Sequence, residues 1–311
     1  MDNQVDTLSK RMRNLAITKQ LNFLLGSGTS VPAIPLMAGL TNNELLKKVE
    51  VTSREILDRY RQSANVRNTQ GTYDRFIQVV IDLLNLSNSR QSPKNVNIFT
   101  TNYDLFIEKA IDKASKNNRI VFNDGANGYF QRTLDSSNYN RTVSYRGLNN
   151  DYLNEVPSIS VIKPHGSMNW VKDKENIRII NRVSPVPVVV PPTGFESATT
   201  FLQNHFYEML RMFQLELDKP QSVLFIIGFS FQDKHIGKMV RRALQNAELM
   251  VYAIGYSDAD RETFLNNLGF LEERPNFKII TPKDVFADEN SDKLNLEWLT
   301  YTLNGMLSEG D

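Results

Sequence analysis

The chain has 311 residues, 41% of them hydrophobic, which is enough to bury the core of one large domain or of two ordinary ones. Its 36 Lys and Arg residues balance 35 Asp and Glu residues, and the formal net charge of +1 provides no global field for nucleic acid or anionic membranes. The absence of cysteine excludes disulfides, thiolate nucleophiles and cysteine-ligated zinc or iron sites. Met1 to Leu15 lacks the apolar core of a signal peptide, and no apolar run of about 18 residues follows, so we expect a cytoplasmic protein without membrane or direct nucleic-acid contacts.

Helical and strand patterns alternate at the start of the chain. Apolar residues at helical spacing predict a first helix from Asp6 to Lys19, and Leu21 to Leu25 predicts a short buried strand. Helical spacing returns from Thr41 to Leu86 around a polar break from Ser63 to Thr72.

A glycine-interrupted turn follows the first strand, and its members are Gly26, Ser27, Gly28, Thr29 and Ser30. Glycines at such a turn let backbone N–H groups approach a pyrophosphate, and a helix that begins there adds partial positive charge. The turn lacks the third glycine of the GxGxxG pattern, so an ordinary glycine-serine turn is the alternative interpretation.

A second strand and helix are predicted at Val96 to Phe99 and at Leu105 to Ala114. The junction between them contains Asn102, whose amide can both donate and accept, and Asp104. Asp104 either caps the helix or accepts from ribose hydroxyls. A neutral amide such as that of Asn102 suits a site where positive charge develops on a sugar.

The middle of the chain predicts a buried strand that ends at a histidine. Arg119 to Phe122 is a candidate strand, and the polar segment from Asn123 to Glu155 is interpreted as a lid or part of an interface. An apolar run from Ile159 to Ile162 then ends in the sequence PHGS, which contains His165. Open α/β sheets bind ligands beyond the carboxyl ends of their strands, so this histidine would act from a rigid strand. A loop histidine that only hydrogen-bonds its own turn is the alternative.

Beyond His165 the pattern predicts a hairpin and a long helix. Asn169 to Val171 would pair with Ile177 to Ile180, and the prolines of the following VPVVVPP sequence restrict it to a short or edge strand. Thr200 to Leu217 predicts a helix on which His205 is a structural or surface residue.

The third strand–glycine–serine junction follows a fully apolar strand from Val223 to Ile227. Gly228 permits close approach to a phosphate or an adenosine ribose, and Ser230 offers a hydroxyl. Asp233 is a candidate cap for the next helix, on which His235 is interpreted as an orienting or surface residue.

The last predicted elements are strands at Met250 to Ile254 and Phe277 to Ile280, with a helix at Arg261 to Leu271 between them. Strands that alternate with helices predict an α/β fold with a Rossmann-like, doubly wound and mainly parallel sheet. We interpret the helical segment at about residues 41–90 as an inserted subdomain within a single domain of residues 1–311.

The four junctions together resemble the sirtuin family, from Leu21 to Pro282. Their sequences, in order, are GSGTS, TTNYD, PHGS and GFSF. They are most similar to divergent bacterial sirtuin-like NAD-hydrolysing proteins of anti-phage defence. By this resemblance, the GSGTS turn and Thr101 would bind NAD, Asn102 and Asp104 would face the nicotinamide ribose, and His165 would be catalytic. Gly228 and Ser230 would contact the adenosine side.

The departures from the family pattern bear on the reaction. The four zinc cysteines of sirtuin deacylases are absent, Leu36-Met37-Ala38 replaces the usual Asp-Phe-Arg, and Thr101 replaces a glutamine. The resemblance therefore implies an NAD hydrolase without zinc or another metal. An NAD-dependent deacylase and a non-enzymatic NAD-sensing or assembly module are the alternatives. The likeness also implies a homo-oligomer and a partner such as a HerA-type ATPase.

Overall fold

The central feature of the fold is a parallel sheet, seen in a computed structural model that describes residues 2–36, 40–87, 94–145, 155–191, 204–286 and 293–305. The strands in chain order are β1 (Gln20–Leu25), β2 (Asn95–Thr100), β3 (Val121–Asn123), β4 (Ala126–Asn127), β5 (Thr133–Leu134), β6 (Ser158–Ile162), β7 (Gly166–Ser167), β8 (Trp170–Asp173), β9 (Asn176–Ile179), β10 (Val188–Val189), β11 (Ser222–Ile227), β12 (Met250–Ile254) and β13 (Phe277–Ile280). Seven of them form one sheet in the order β13-β12-β11-β1-β2-β6-β3, and all neighbouring pairs are parallel. The predicted parallel sheet is confirmed.

Helices cover both faces of this sheet. In chain order they are α1 (Asp2–Thr18), α2 (Asn42–Leu57), α3 (Ala64–Leu86), α4 (Phe106–Ala114), α5 (Asn204–Asp218), α6 (Lys234–Ala243), α7 (Asp260–Leu268), α8 (Pro282–Val285) and α9 (Leu296–Asn304). One apolar core contains residues of α1 to α4 and α9, and a second contains residues of α5 to α7. β1 and β11 are buried along their whole length, and Val223 to Ile227 of β11 is a continuous apolar run, whereas β1 includes the buried polar residue Asn22. The doubly wound prediction is confirmed.

The chain reverses direction across the sheet between β1 and β11. It proceeds outward from β1 through β2, later returns to place β11 on the other side of β1, and then continues to β12 and β13. This is the topological switch point, where open α/β sheets bind ligands beyond the carboxyl ends of their strands. The glycine-containing junctions after β1 and β11 meet at this edge.

The segment between β1 and β2 packs directly on the sheet. The ring of Phe76 on α3 meets Phe23 on β1 edge-to-face, with centroids 5.0 Å apart. The polar break was predicted wrongly at Ser63 to Thr72, because Ser63 caps α3 and the helix begins at Ala64. Most polar residues of this range lie on the exposed face of α3, but Gln70 is buried and donates its side-chain N–H to the Phe106 carbonyl oxygen at 3.2 Å.

The polar stretch that was interpreted as irregular contains ordered strands. Within Asn123 to Glu155, β4 and β5 join the β8–β9 hairpin in a four-stranded antiparallel sheet. Tyr139 ties this part to the main sheet by donating to the Val161 carbonyl oxygen at 3.0 Å. Residues 146–154 of this stretch, and the predicted start of the long helix at Thr200, lie outside the described residues.

The remaining predicted elements are present with small shifts at their ends. β12 and β13 have the predicted bounds, the β8–β9 hairpin forms, and β10 is a two-residue strand that pairs with β7. None of the helices within the described ranges has the length and apolar character needed to cross a bilayer.

Candidate active site

The glycine turn after β1 packs against the junction after β11. Gly28 donates its N–H to the Gly228 carbonyl oxygen at 2.9 Å, and Gly26 donates to the Ile227 carbonyl oxygen at 3.0 Å. A Cβ atom on Gly26 would lie 2.3 Å from the Gly228 oxygen, and Gly228 itself has a φ of +64°. These glycines are required because two backbones approach each other closely.

This contact corrects two parts of the sequence-based interpretation. The Gly28 N–H, which was expected to face a pyrophosphate, is bonded to the protein. The turn forms a 3₁₀ helix, Ser27–Ser30, rather than the first turn of an α-helix, since α2 begins only at Asn42. A helix of this length supplies little dipole. Any contribution of the turn to NAD binding stays a prediction.

Asn102 is fixed by three acceptors in this turn. Its Nδ2 lies 3.0 Å from the Gly26 carbonyl oxygen and 3.2 Å from both Thr29 Oγ1 and Ser30 Oγ. Because a carbonyl oxygen can only accept, the contact with Gly26 sets the orientation of the amide. The amide hydrogens are therefore committed within the protein, and Oδ1 is the atom of this group that suits a ribose hydroxyl or a water.

Asp104 has two partners inside the protein. Its Oδ2 accepts from Ser30 Oγ at 2.7 Å, and its Oδ1 accepts from the N–H of Phe106, the first residue of α4, at 3.2 Å. Tyr73 lies beside this group, 2.8 Å from Thr29 Oγ1, and burial together with the charge of Asp104 raises the pKa of its phenol. The predicted N-cap role of Asp104 is not confirmed, because Leu105 is the N-cap residue of α4, although the Asp104 carboxylate accepts from the first N–H of the helix. Its predicted contact with ribose stays a prediction.

A buried lysine connects the junction after β2 to the end of β6. Lys163 is 2% exposed, and its Nζ donates to the Asp104 carbonyl oxygen at 2.5 Å, to Glu108 Oε1 at 2.6 Å and to Ser167 Oγ at 3.2 Å. Burial raises the pKa of Glu108, and the adjacent ammonium opposes the rise. Sequence reasoning missed Lys163. Its position at the end of a buried strand was the available signal, because a buried charge needs a partner.

His165 is buried and contacts another imidazole. It is 5% exposed, and its Nε2 forms a hydrogen bond of 3.2 Å with Nε2 of His235, the second residue of α6. Asp233 contacts both rings: Oδ1 lies 2.5 Å from His235 Nδ1, and Oδ2 lies 3.3 Å from His165 Nε2. Burial would raise the pKa of Asp233, but the His235 contact and the charges of both histidines outweigh it and lower that pKa.

This cluster was not foreseen from the sequence. The sequence predicts His235 to be an orienting or surface residue, and the structure shows it buried against His165. Asp233 caps α6 as predicted, but its contact with His165 was missed. The ligand atoms of the three side chains lie within 4.8 Å of one another, and they are the one such group found in the described residues. That the protein works without a metal stays a prediction.

The loops that carry Asn102 and His165 are neighbours. β2 and β6 pair in parallel, and the Met168 N–H donates to the Tyr103 carbonyl oxygen at 2.9 Å. Asn102 and His165 could serve one ligand only if the strands that precede them are neighbours. β2 and β6 are neighbours, so this condition is met. With the His165–His235 contact, the junctions after β1, β2, β6 and β11 form a closed circuit of contacts at one edge of the sheet.

Three other predicted site residues lie at the margin of this circuit. Ser27 is exposed and Thr101 is half-buried, with its N–H 3.3 Å from the Leu25 carbonyl oxygen. Ser230 is half-buried, and its carbonyl oxygen accepts from Asn267 at 2.7 Å. Their predicted contacts with NAD stay predictions. His205 contacts the Glu175 carbonyl oxygen at 3.0 Å, outside the circuit.

Fold and site together define a Rossmann-like α/β protein with a buried polar site at its topological switch point. The chain matches the family model of the SIR2-like domain over residues 96–272. Because this match covers more than half of the chain, the protein belongs to the SIR2-like domain family. No curated protein matches it. Family membership supports an NAD-dependent enzyme, and the absence of cysteine excludes the cysteine-ligated zinc of sirtuin deacylases.

Proposed function

We propose that the protein is an NAD+ glycohydrolase that cleaves the bond between nicotinamide and ribose and releases nicotinamide and ADP-ribose. The observation that supports this most directly is the placement of Asn102 and His165 after adjacent parallel strands of a SIR2-like domain. Both side chains are buried, at 8% and 5% exposure, so they are held in a site from which most water is excluded.

The residues present suit NAD as a substrate. Nicotinamide leaves as a neutral molecule from a cationic ring, so the enzyme has to stabilise the positive charge that develops on the ribose and to admit water. The Oδ1 of Asn102 can accept from a ribose hydroxyl or from the attacking water. His165 can take the proton of that hydroxyl or water, a role worth roughly 10²- to 10⁴-fold in rate.

The main alternative in another enzyme class is NAD-dependent deacylation of proteins. That reaction requires an acyl-lysine groove, which the zinc module of sirtuin deacylases supports, and a chain without cysteine cannot build that module. The non-enzymatic alternative is an NAD-sensing or assembly module. The polar circuit around Asn102 and His165 favours chemistry over sensing alone, since it brings a candidate proton acceptor, His165, close to an amide that could hold a ribose hydroxyl or a water.

Product analysis distinguishes the three functions. Purified protein is incubated with NAD, with and without an acylated peptide, and the products are separated by chromatography. The glycohydrolase gives ADP-ribose and nicotinamide without the peptide. Acylated ADP-ribose formed only with the peptide would establish the deacylase, and NAD binding without turnover would establish the sensing module.

We further propose that NAD depletion serves antiviral defence. By the likeness to defence proteins, the chain would act as a homo-oligomer, in the cytoplasm, beside a HerA-type ATPase or another defence partner. Comparing the rate of nicotinamide release by the protein alone and with the product of a neighbouring gene tests the partner. Equal rates at every protein concentration would count against regulation by assembly.

A further inference from the structure

The contact between His165 and His235 depends on one shared proton. A hydrogen bond between two ring nitrogens needs a hydrogen on one and a lone pair on the other. Two protonated nitrogens or two lone pairs facing each other at 3.2 Å would repel. The contact therefore couples the protonation state of one ring to that of the other.

Asp233 supplies the negative charge that this pair needs. Its two carboxylate oxygens lie 2.5 Å from His235 and 3.3 Å from His165, so it stabilises a positive charge on either ring. The Asp233 carboxylate follows β11, whereas His165 follows β6, and β1 and β2 lie between these two strands in the sheet. The carboxylate therefore contacts His165 from the opposite side of the site.

We propose that Asp233 and His235 are positioning residues that orient the His165 ring and stabilise the proton it takes up during cleavage of NAD. The inference rests on the proposed function. In the step, an O–H bond of a ribose hydroxyl or water breaks and an N–H bond to the His165 ring forms. The resulting charge is shared with His235 and balanced by Asp233, and the proton returns to solvent after the products leave. His165 would remain the catalytic residue.

The backbone that carries Asp233 is held in an unusual conformation. Phe231 has a φ of +60°, a region that bulky side chains rarely adopt, and such strain persists only where the surroundings enforce it. The Phe231 ring is 1% exposed and packs edge-on to Phe229 and Phe264, with centroids 5.4 and 5.2 Å away. Asp233 also accepts from the Ile236 N–H as the cap of α6. Both contacts fix the carboxylate where it meets His165.

Two conservative variants separate charge from shape. Asp233→Asn removes the charge and keeps the helix cap, because asparagine caps helices as well as aspartate does. His235→Gln keeps a polar amide beside His165 but cannot titrate. Each variant is expected to lower kcat/KM for NAD at least about tenfold through kcat, with KM nearly unchanged.

The pH profile distinguishes a positioning role from a merely structural one. Among the described contacts of His165, the charged or titratable partners are Asp233 and His235, while Lys163, two residues earlier, contacts Glu108. Without the carboxylate, protonation of His165 is less favourable. The acid limb of kcat/KM should therefore move to lower pH in Asp233→Asn. A variant that only loosened the fold would lower the rate without moving the limb.

The same substitutions elsewhere provide matched controls. His205→Gln changes the third histidine, which lies outside the circuit, and Asp135→Asn changes another capping aspartate. Both should keep wild-type kcat and pH profile. In the His165→Ala background, Asp233→Asn and His235→Gln should cause no further loss, because they act through the missing ring.

Thermal melts show whether each variant folds, and ring ¹⁵N NMR of the wild-type histidines gives a measurement that needs no variant. A hydrogen shared by the two rings should appear as a ¹⁵N–¹⁵N coupling between Nε2 of His165 and Nε2 of His235. The inference would be overturned if this coupling is absent, or if the wild-type enzyme is active and both folded variants keep its rate and pH profile. If the wild-type protein releases no nicotinamide, the proposed function fails first and the inference fails with it.

Discussion

Ser30 donates its hydroxyl to Asp104 at 2.7 Å, across 74 residues of sequence, and so joins the turn after β1 to the junction after β2. The same serine lies 3.2 Å from the amide nitrogen of Asn102. The predicted glycine turn is thus first a structural support for Asn102. This relationship, together with the contact between Gly28 and Gly228, determines what mutations in the turn should do.

Gly28→Ala should destabilise the fold. Its Cβ would lie 2.8 Å from the Gly228 Cα atom, and overpacking of this kind costs about 1–3 kcal/mol. Gly71→Ala on α3 is the matched control, since its Cβ would meet only Arg75 Nη1 at 3.7 Å and helix propensity should add roughly 0.5–1 kcal/mol of stability. Urea unfolding of both variants measures the difference. Gly28→Val, which adds a larger side chain at the same place, should therefore impair both the fold and any NAD binding, and a Gly28→Ala variant as stable as wild type would contradict the account.

His165→Ala and Asn102→Ala should each lower NAD turnover by at least about 100-fold, or roughly 2.7 kcal/mol of transition-state stabilisation. Because both side chains would serve one transition state, the double variant should be scarcely slower than the poorer single variant. Nicotinamide release at saturating NAD is the measurement. Thermal melts are the control, since Asn102 also supports the turn. Near-normal turnover by folded His165→Ala would contradict the proposed hydrolase mechanism and favour the NAD-sensing module.

Lys163→Met should lower the free energy of unfolding by about 3–5 kcal/mol, because it leaves Glu108 partly buried without its cation. The pKa of Glu108 is already raised, so the native state binds its proton more tightly than the unfolded state does. Between the ordinary and the raised pKa, stability therefore falls as pH rises, and the loss in Lys163→Met should be larger at neutral than at acidic pH. Urea titrations across this range test the sign. Adding Glu108→Gln should restore part of the stability and flatten the pH dependence, and a double variant as unstable as Lys163→Met would argue against the ion pair as the cause.

Activity should survive exhaustive chelation, since the proposed reaction needs no metal. The cluster of His165, Asp233 and His235 makes this a sharper test than the sequence alone, which suggested dispersed histidines. Protein is dialysed against a strong chelator, and nicotinamide release is compared with that of an untreated sample. Loss of activity that zinc restores would place a metal on these three residues.

Much of the sheet could be predicted because strands such as β11 and β12 are largely apolar and buried. β12 and β13 have the predicted bounds, and each site residue was placed correctly at a strand end. A buried polar residue misled the prediction of α3. Gln70 was assigned to a break between helices, but it lies within α3 and donates to the Phe106 carbonyl oxygen. Two-residue strands such as β4 and β5 are too short to show a period.

The contacts that complete the site could not be predicted in the same way. His165 and His235 are 70 residues apart, and only the strand order brings their loops together over β1 and β2. Lys163 and Glu108 are 55 residues apart, and no local sequence pattern predicts that they form an ion pair. Strand-end residues are found from local sequence, whereas their partners depend on topology.

The position of β11 determines how much of the chain must be synthesised before the candidate site is complete. β11 lies beside β1 at the centre of the sheet, although it follows β1, β2, β3 and β6 along the chain. During synthesis, one side of the central strand β1 therefore stays unpaired until β11 is made, and Asp233 and His235 follow β11. A nascent chain that ends before Ser222 lacks both this neighbour of β1 and the described partners of His165. If the proposed hydrolase depends on Asp233 and His235, it would gain activity only after about three-quarters of the chain had been synthesised.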